Sequence, residues 1–430
     1  MPGMIEADLA VVDAAELVTV PGPAPKLGSR LGAIGVIERG CLAARDGVVV
    51  FVGDEREYRS RVHLARHGVE IDATGRTVLP GFVDPHTHLP FAGSREGELV
   101  ERLRGATYEE IAARGGGILS TVEATRRASI DELVDLGKRR LNRMILHGTT
   151  TVEAKSGYGL TLEDELKQLR ALQRLADLHP VGIVPTFLGA HVVPMERRGD
   201  RESYLREVID RMLPEVAREG LARFCDVFVD EGAFTPEEGE RVLRAARDLG
   251  LGIRLHAEQR GPSGGALLAA RLGAASADHL DHVTEQGIRA LRQAGTTAVL
   301  LPGAAFFLRD PHDAPARRLV DAEVPVALAT DLNPGTCPTE AMTAILPLAA
   351  LRLGLEPAEA ITAATLNAAH SLGIAARVGS LEVGKLADLQ VLDIPDHRHV
   401  VYHFGVNHCT TVVKDGRVVV EDGAIAPIEP

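Results

Sequence analysis

The feature that most constrains this fold is the alternation of short apolar segments with longer amphipathic segments through the middle of the chain. Helical segments such as "LEDELKQLRALQRLA" follow apolar segments of strand type. The strands contain, in order, FVDPHTH, TTTVEAKSG, GIVPTFLGAH, FCDVFVDE, GIRLHAEQ, SADHLDHV, TAVLLPG and PVALATDLNP. Strands that alternate with helices are typical of parallel sheets. Eight such units in roughly 250 to 300 residues predict a closed (β/α)8 TIM-like barrel rather than an open doubly wound sheet.

Both ends of the chain are predicted to be β-rich. Short β-type segments fill residues 1–78, and "SLEVGKLADLQVLD" and "TTVVKDGRVVVEDG" repeat the same pattern of strands and Asp-Gly turns after Gly379. We therefore expect residues 1–78 and 376–430 to form one small β-sandwich domain, and residues 79–375 to form the barrel.

Composition narrows the class of protein. The formal net charge of −13 opposes a nucleic-acid partner. The four cysteines, with no CxxC pair, fit neither a disulfide framework nor a thiolate zinc site and indicate a reducing cytoplasm. The acidic N-terminus and the lack of a long apolar run predict neither secretion nor a membrane partner.

Two histidines one residue apart end the first apolar segment, "LPGFVDPHTHLP". Side chains alternate along a strand, so His86 and His88 are predicted to point the same way, close enough to share one metal ion. An isolated HxH pair is just as compatible with two core or loop histidines.

Other ionisable residues also lie at predicted strand ends, and these ends meet at one face of a barrel. The seven are His86, His88, Lys155, His191, His256, His279 and Asp331. Their convergence favours a metal centre over chance burial of polar groups. Histidine and carboxylate without thiolate suit zinc or another borderline divalent ion in an open catalytic site, where the ion activates water.

The motifs "PGFVDPHTHLPFAGSR", "GTTTVEAKSGYGLTLEDELK", "TFLGAH", "LHAEQ", "SADHL", "LLPGAAFFLR" and "ALATDLNPGTCPT" resemble the amidohydrolase superfamily and, within it, the imidazolonepropionase family. The resemblance runs from about residue 40 to the end of the chain. It implies a single Zn or Fe ion per chain, a cytoplasmic enzyme and a homodimer. The metal ligands that it implies are His86, His88, His256 and Asp331.

The resemblance also implies roles for residues around the metal. The substrate contacts would be Arg95, Tyr158, His191, Gln259, Asn333, Gly335 and Thr336. Arg95 could bind a propionate through a bidentate fork, although a loop arginine is more often solvated. His191 could donate to the substrate carbonyl or simply end its strand, and His279, with Asp331, would carry protons.

Three positions stay open. Lys155 could carry a carboxylated amine that bridges two metals, as in binuclear members of the superfamily, but the family implies a mononuclear site. Gln259 stands where many relatives have Glu, so a carboxylate is missing there while an amide can still hydrogen-bond. The run from Gly115 to Gly117 is compatible with a mobile loop at the site or with an ordinary turn at a helix end.

The function implied by the resemblance is hydrolysis of the ring C–N amide bond of 4-imidazolone-5-propanoate by metal-activated water, giving N-formimidoyl-L-glutamate in histidine degradation. One alternative is an amidohydrolase that acts on a heterocycle without a carboxylate tail, against which Arg95 and Tyr158 argue. The other is a silent metal-binding or scaffold protein, which the complete set of ligand positions disfavours.

Overall fold

We analysed a computed structural model of the protein, which describes residues 4–107, 110–111 and 114–426. Two sheets organise it. One is an eight-stranded parallel sheet built from the middle of the chain, and the other is a nine-stranded mixed sheet to which both ends contribute. Within the described residues, no helix combines the length and the apolar character that crossing a membrane requires.

The parallel sheet follows the chain order, each strand pairing with the next. Its strands are β6 (Phe82–Asp84), β7 (Thr149–Lys155), β8 (Gly182–Ala190), β9 (Phe224–Val229), β10 (Gly252–Ala257), β11 (Ser276–His279), β12 (Thr297–Leu300) and β13 (Val326–Leu328). The residues of these strands are buried, as expected for strands covered on both faces. The exceptions are Gly182, Ile183 and Pro185 in β8 and Gly252 in β10, which are half-buried. These strands fall on the eight predicted segments and confirm the barrel.

The first and last barrel strands meet just beyond their carboxyl ends. Thr87 and Leu332 form an isolated parallel bridge, His88 N donates to Leu332 O at 2.9 Å, and Asp331 N donates to His86 O at 3.1 Å. The sheet is therefore nearly closed, and the contacts that close it lie on the segments that carry the HxH pair and Asp331.

Most of the helices follow or connect the barrel strands, whereas α1 packs on the mixed sheet. They are α1 (Glu55–Arg61), α2 (Glu96–Leu103), α3 (Ile118–Arg127), α4 (Ile130–Leu146), α5 (Leu162–Leu178), α6 (Arg201–Glu207), α7 (Leu213–Glu219), α8 (Pro236–Asp248), α9 (Gly265–Leu272), α10 (Glu285–Ala294), α11 (Pro302–Leu308), α12 (Ala316–Asp321), α13 (Met342–Leu351), α14 (Pro357–Ala363), α15 (Leu366–Ser371) and α16 (His399–Tyr402).

Local sequence signals explain several helix ends. Ser129 and Glu132 form a capping box at the start of α4, and Thr235 and Glu238 form another at the start of α8. Gly273 ends α9 in the left-handed conformation, which glycine adopts without steric cost.

The mixed sheet joins both ends of the chain. Its strands are β1 (Ile5–Val18), β2 (Val36–Arg45), β3 (Val48–Asp54), β4 (Val62–Asp72), β5 (Thr77–Pro80), β14 (Leu389–Leu392), β15 (Cys409–Lys414), β16 (Arg417–Glu421) and β17 (Ala424–Ile425). The two ends meet where β14 pairs antiparallel with β5, with Leu392 opposite Thr77. The predicted small β-domain built from both ends is thus confirmed, while its boundaries at residues 78 and 376 stay a prediction.

Candidate active site

The barrel brings the four predicted metal ligands together at the carboxyl ends of its strands. His86 and His88 follow β6, His256 lies in β10 and Asp331 follows β13. Asp331 Oδ1 lies 3.5 Å from Nε2 of His86 and 3.5 Å from Nε2 of His88, and Nε2 of His256 lies 3.4 Å from Nε2 of His88. All four side chains are buried. We call these four residues the metal cradle.

The donor atoms of the metal cradle fit a metal ion. The buried Nε2 of His86 has no hydrogen-bond partner among the described residues. Burial, and after it the positive charge of Lys155, lowers the pKa of His86, and burial also lowers the pKa of His88. Both rings are therefore neutral, the form in which imidazole binds a metal. Three imidazoles and one carboxylate suit a divalent ion with an open coordination position.

Two buried carboxylates orient the histidines of the metal cradle. Nδ1 of His86 donates to Asp278 Oδ2 at 2.7 Å, and Nδ1 of His256 donates to Asp226 Oδ1 at 3.1 Å. A proton held on Nδ1 leaves the lone pair of Nε2 directed at the centre of the cradle. Carboxylate partners of this kind fix the tautomer of a metal-binding histidine and raise its basicity.

Lys155, the last residue of β7, lies beneath the metal cradle rather than in it. Its Nζ lies 2.7 Å from Glu153 Oε1 and 2.9 Å from Asp226 Oδ2. Arg254 approaches the other supporting carboxylate, with Nη2 at 3.4 Å from Asp278 Oδ2. The two supporting carboxylates are thus neutralised by two buried cations, and the lysine amine is occupied by ion pairs.

A cavity of about 390 Å³ opens above the metal cradle. Arg95 lines it and directs one edge of its guanidinium at Glu98, with Nε and Nη2 each 2.8 Å from Glu98 Oε2. The Nη1 atom lies close to Gly335, where any side chain would overlap it. Gly335 therefore leaves room for the Arg95 guanidinium, while its predicted contact with substrate stays a prediction.

Glu98 also connects Arg95 to the glycine run. Its second oxygen, Oε1, accepts from Gly117 N at 2.8 Å. Gly117 has a φ of 74° and immediately precedes α3, whose first residue, Ile118, lines the cavity. The glycine run is thus a turn that begins a helix at the site, and Glu98 holds it against the guanidinium.

Tyr158, His191 and Gln259 line the cavity on the side of the metal cradle. Nδ1 of His191 lies 2.9 Å from the backbone oxygen of Gly157 and must donate to it, because a carbonyl only accepts. Burial lowers the pKa of this ring, so its Nε2 faces the cavity as an acceptor. The predicted donation from His191 to a substrate carbonyl would need a doubly protonated ring.

Asn333 and Thr336 line the cavity beside Asp331. The amide nitrogen of Asn333 donates to Asp331 O and Thr336 Oγ1, each at 2.7 Å. Its oxygen accepts from Gly335 N and Thr336 N. All four hydrogen-bonding positions of this amide are taken, so its side chain organises the loop, and a side-chain contact with substrate would require breaking one of these bonds. Thr336 Oγ1 in turn lies 3.3 Å from Asp331 Oδ2.

His279 lies beside the metal cradle, its ring centroid 5.6 Å from that of His86 and 5.5 Å from that of His256. Burial lowers its pKa to about 3, and its Nδ1 has no hydrogen-bond partner among the described residues. His279 and Asp331 both have positive φ, at 78° and 55°. Strained backbone of this kind concentrates at functional sites, where surrounding structure holds it in place.

Sequence reasoning missed the residues that support the site. Asp226, Asp278 and Glu98 were not among the predicted residues. A signal existed for two of them, because Asp226 in "FCDVFV" and Asp278 in "SADH" are acids inside fully buried strands. An acid at such a position needs a partner. Glu98 lies on α2 among other charged residues, and nothing in its local sequence distinguishes it.

Comparisons with known proteins show the family of this chain and identify its relatives. Residues 77–419 match the Amidohydrolase family. A protein named imidazolonepropionase from Symbiobacterium thermophilum is 53% identical over 98% of this chain and 99% of its own length. One of the same name from Geobacillus kaustophilus is 52% identical over 97% of this chain and 99% of its own length.

Solved structures share the fold at lower identity. A zinc-bound adenosine deaminase from Xanthomonas campestris superposes with a TM-score of 0.74 and 20% identity over 100% of this chain and 96% of its own. Guanine deaminase from E. coli superposes with a TM-score of 0.68 and 19% identity over 96% and 99%. These structures support the fold, whereas the close relatives decide the family. The chain belongs to the amidohydrolase family and, within it, to the imidazolonepropionases.

Proposed function

We propose that this protein hydrolyses the ring C–N amide bond of 4-imidazolone-5-propanoate, consuming one water and releasing N-formimidoyl-L-glutamate, a step of histidine degradation. The observation that carries the proposal is that Arg95 and the metal cradle line or border one cavity of about 390 Å³. A substrate with a carboxylate tail and a ring carbonyl needs both features. Close relatives over nearly the full chain are named imidazolonepropionase, which supports the same reaction.

His86, His88, His256 and Asp331 would hold one Zn or Fe ion, since histidine and carboxylate ligands suit both. When bound, such an ion polarises a carbonyl and lowers the pKa of a coordinated water. The ion-paired amine of Lys155 supports a single ion rather than a pair.

Arg95 would bind the propionate tail. Its Nε and Nη2 face Glu98, so the carboxylate of the substrate would approach along the Nη1 and Nη2 edge. Tyr158, Gln259 and Thr336 line the same cavity and can hydrogen-bond the polar ring. Asn333 and Gly335 would act indirectly, by holding the loop and by leaving room for the guanidinium.

His191 would orient the ring by accepting a hydrogen bond from a ring N–H at Nε2. This role agrees with its Nδ1 donation to Gly157 O. Stabilisation of the developing oxyanion by His191 would require its protonation, and the first role is therefore the one that we favour.

Asp331 and His279 would move the proton. Asp331 Oδ1 faces the two Nε2 atoms of His86 and His88, where the attacking water must stand to reach a carbonyl in the cavity. Asp331 would accept the proton of that water. His279, neutral and with an unpartnered Nδ1, would relay that proton from Asp331 to the leaving ring nitrogen. The C–N bond then breaks, the nitrogen becomes part of the formimidoyl group, and the carbonyl carbon keeps the water oxygen as a carboxylate.

The test compares two substrates on protein of known metal content. Turnover of 4-imidazolone-5-propanoate, with release of N-formimidoyl-L-glutamate, is expected to exceed turnover of the imidazolone without the propionate by orders of magnitude. Elemental analysis of the same sample is expected to give one Zn or Fe per chain. Equal turnover of the two compounds would favour an amidohydrolase that acts on heterocycles without a tail.

We also propose a cytoplasmic homodimer. The four cysteines are buried and free, which suits a reducing compartment. Tyr402 and Phe404 expose 81% and 69% of their surface, and exposed apolar residues of this size are typical of contact surfaces. Sedimentation analysis of the protein and of Phe404→Ser checks the dimer.

A further inference from the structure

A second group of histidine and carboxylate ligands lies at the rim of the cavity. His282 follows β11, whereas Asp310 and His312 follow α11. A ring nitrogen from each histidine and an oxygen of Asp310 all lie within 4.8 Å of one another, and the two rings lie 4.6 Å apart between centroids. Asp310 also lines the cavity above the metal cradle. We call these three residues the rim cluster.

We propose that the rim cluster is a second binding site for a divalent transition-metal ion of the Zn²⁺, Ni²⁺ or Cu²⁺ class. Two imidazoles and a carboxylate are the ligands that such ions prefer. Three protein ligands leave the remaining coordination positions to water. The proposed hydrolysis uses none of these three side chains, so the site does not depend on that function.

Hydrogen bonds within the protein hold the residues of the rim cluster in place. Asp310 Oδ1 accepts from His312 N at 2.8 Å and lies 3.2 Å from His312 Nδ1, which fixes the turn that carries both residues. His282 N donates to Glu258 O at 2.9 Å, which anchors the opposite segment. Two separately anchored segments thus hold their ligand atoms close together. Binding of an ion should therefore cost little conformational entropy.

The charges around the rim cluster favour a cation. Asp281 and Asp313 lie next to it in sequence, and Asp281 and Asp310 line the same cavity. Asp313 pairs with Arg352 through Oδ2 at 3.0 Å, but its buried Oδ1 has no hydrogen-bond partner among the described residues. Carboxylates therefore crowd this part of the rim, and a divalent ion would relieve their repulsion.

A comparable group elsewhere provides a control. Glu16, Asp396 and His397 also place ligand atoms within 4.8 Å of one another. As in the rim cluster, N and Nδ1 of one histidine both contact one carboxylate oxygen, but here the other carboxylate, Asp396, also binds Arg398. This group contains a single histidine whose contacts link β1 to the segment after β14, so we assign no ion to it.

The test measures zinc binding to the full chain with its catalytic ion in place. Equilibrium dialysis against Zn²⁺, followed by elemental analysis, is expected to show one additional ion per chain, bound more weakly than the catalytic ion. His312→Ala and His282→Ala should each weaken this second ion at least tenfold and leave the catalytic ion and turnover in zinc-free buffer unchanged. His397→Ala should bind the second ion as the unchanged protein does.

Thermal unfolding supplies a second readout. Added Zn²⁺ should raise the Tm of the unchanged protein and of His397→Ala, but not that of His312→Ala, whose side chain is 61% exposed and whose replacement does not threaten the fold. Absence of a second ion overturns the proposal. The proposal is also overturned if a second ion binds His282→Ala and His312→Ala as tightly as the original protein, or if that ion is lost in His397→Ala.

Discussion

The metal cradle and the Arg95 end of the same cavity are built in different ways. In the cradle, each of two histidines is held by a buried carboxylate, and each carboxylate is neutralised by a buried cation. At the other end, the Arg95 guanidinium is held by the carboxylate of Glu98 on the short helix α2, and it fits beside Gly335 because glycine has no side chain. The cradle is therefore held by more buried contacts than the Arg95 end, which depends on fewer contacts and on loop segments.

This difference has a physical reason. A metal ion requires accurately placed ligands. Charged groups buried inside the barrel can pair with partners on the neighbouring strands and so hold those ligands in place. A substrate must enter and leave, so the groups that bind its tail cannot be enclosed by protein on all sides.

Removal of a cradle ligand should have the largest effect. In His256→Ala, loss of the ion removes several kcal/mol of transition-state stabilisation, so kcat/KM should fall on the order of 10³-fold or more. Elemental analysis should show the loss of metal in parallel. A variant that kept full metal content and activity would remove His256 from the ligand set.

Loss of the guanidinium that we propose binds the substrate tail should have the next largest effect. Arg95→Met should cost about 2 to 4 kcal/mol in transition-state binding for 4-imidazolone-5-propanoate, because a substrate charge is left unpaired. The metal content should not change. Arg170→Met, which removes an exposed arginine paired with Glu219 on the outside of the barrel, is the matched control.

The comparison with a tail-less imidazolone decides how the Arg95 result is read. Arg95→Met should leave the slow turnover of that analogue nearly unaltered. Equal losses on both substrates would mean that the substitution disturbs the neighbouring segment of His86 and His88, and Arg95 would then have no part in specificity.

Weakening a carboxylate that supports the cradle should lower the affinity for the metal ion and leave binding of the substrate tail unchanged. Asp278→Asn leaves the His86 ring with a poorer acceptor, so we expect ion affinity to fall about 10- to 100-fold, measured by competition with a chelator. KM measured on metal-saturated protein should stay within about twofold of the original. Asp393→Asn is the control, because Asp393 binds His408 in a carboxylate–histidine pair outside the barrel.

The smallest effect is expected for Glu98→Gln. An amide can still accept from Arg95, so the loss should be about 1 kcal/mol and should appear mainly in KM. Glu101→Gln removes an acid from the same helix that pairs with the exposed Arg114 and should leave KM unaltered. A fall in kcat without a change in KM would show that Glu98 affects the chemistry and not the placement of the tail.

Much of this organisation was predictable from the sequence. The eight strands were predicted because parallel strands buried on both faces are continuous apolar runs. Seven ionisable residues were predicted to converge because the carboxyl ends of barrel strands meet at one face, and the family resemblance selected His86, His88, His256 and Asp331 among them as metal ligands. The roles within the site were less predictable. The direction of a hydrogen bond, such as that from His191 to Gly157 O, depends on a partner 34 residues away.

The barrel, the β-domain made from both ends and the family were all predictable from the sequence, because each follows from local periodicity, turn residues or contiguous motifs. Only the folded chain shows which carboxylates orient the histidines of the cradle, that the Lys155 amine forms ion pairs and that Asn333 organises its loop. It also brought His282 beside Asp310 and His312. These relations depend on pairings across different strands and loops, and one chain contains no local signal for contacts between distant side chains.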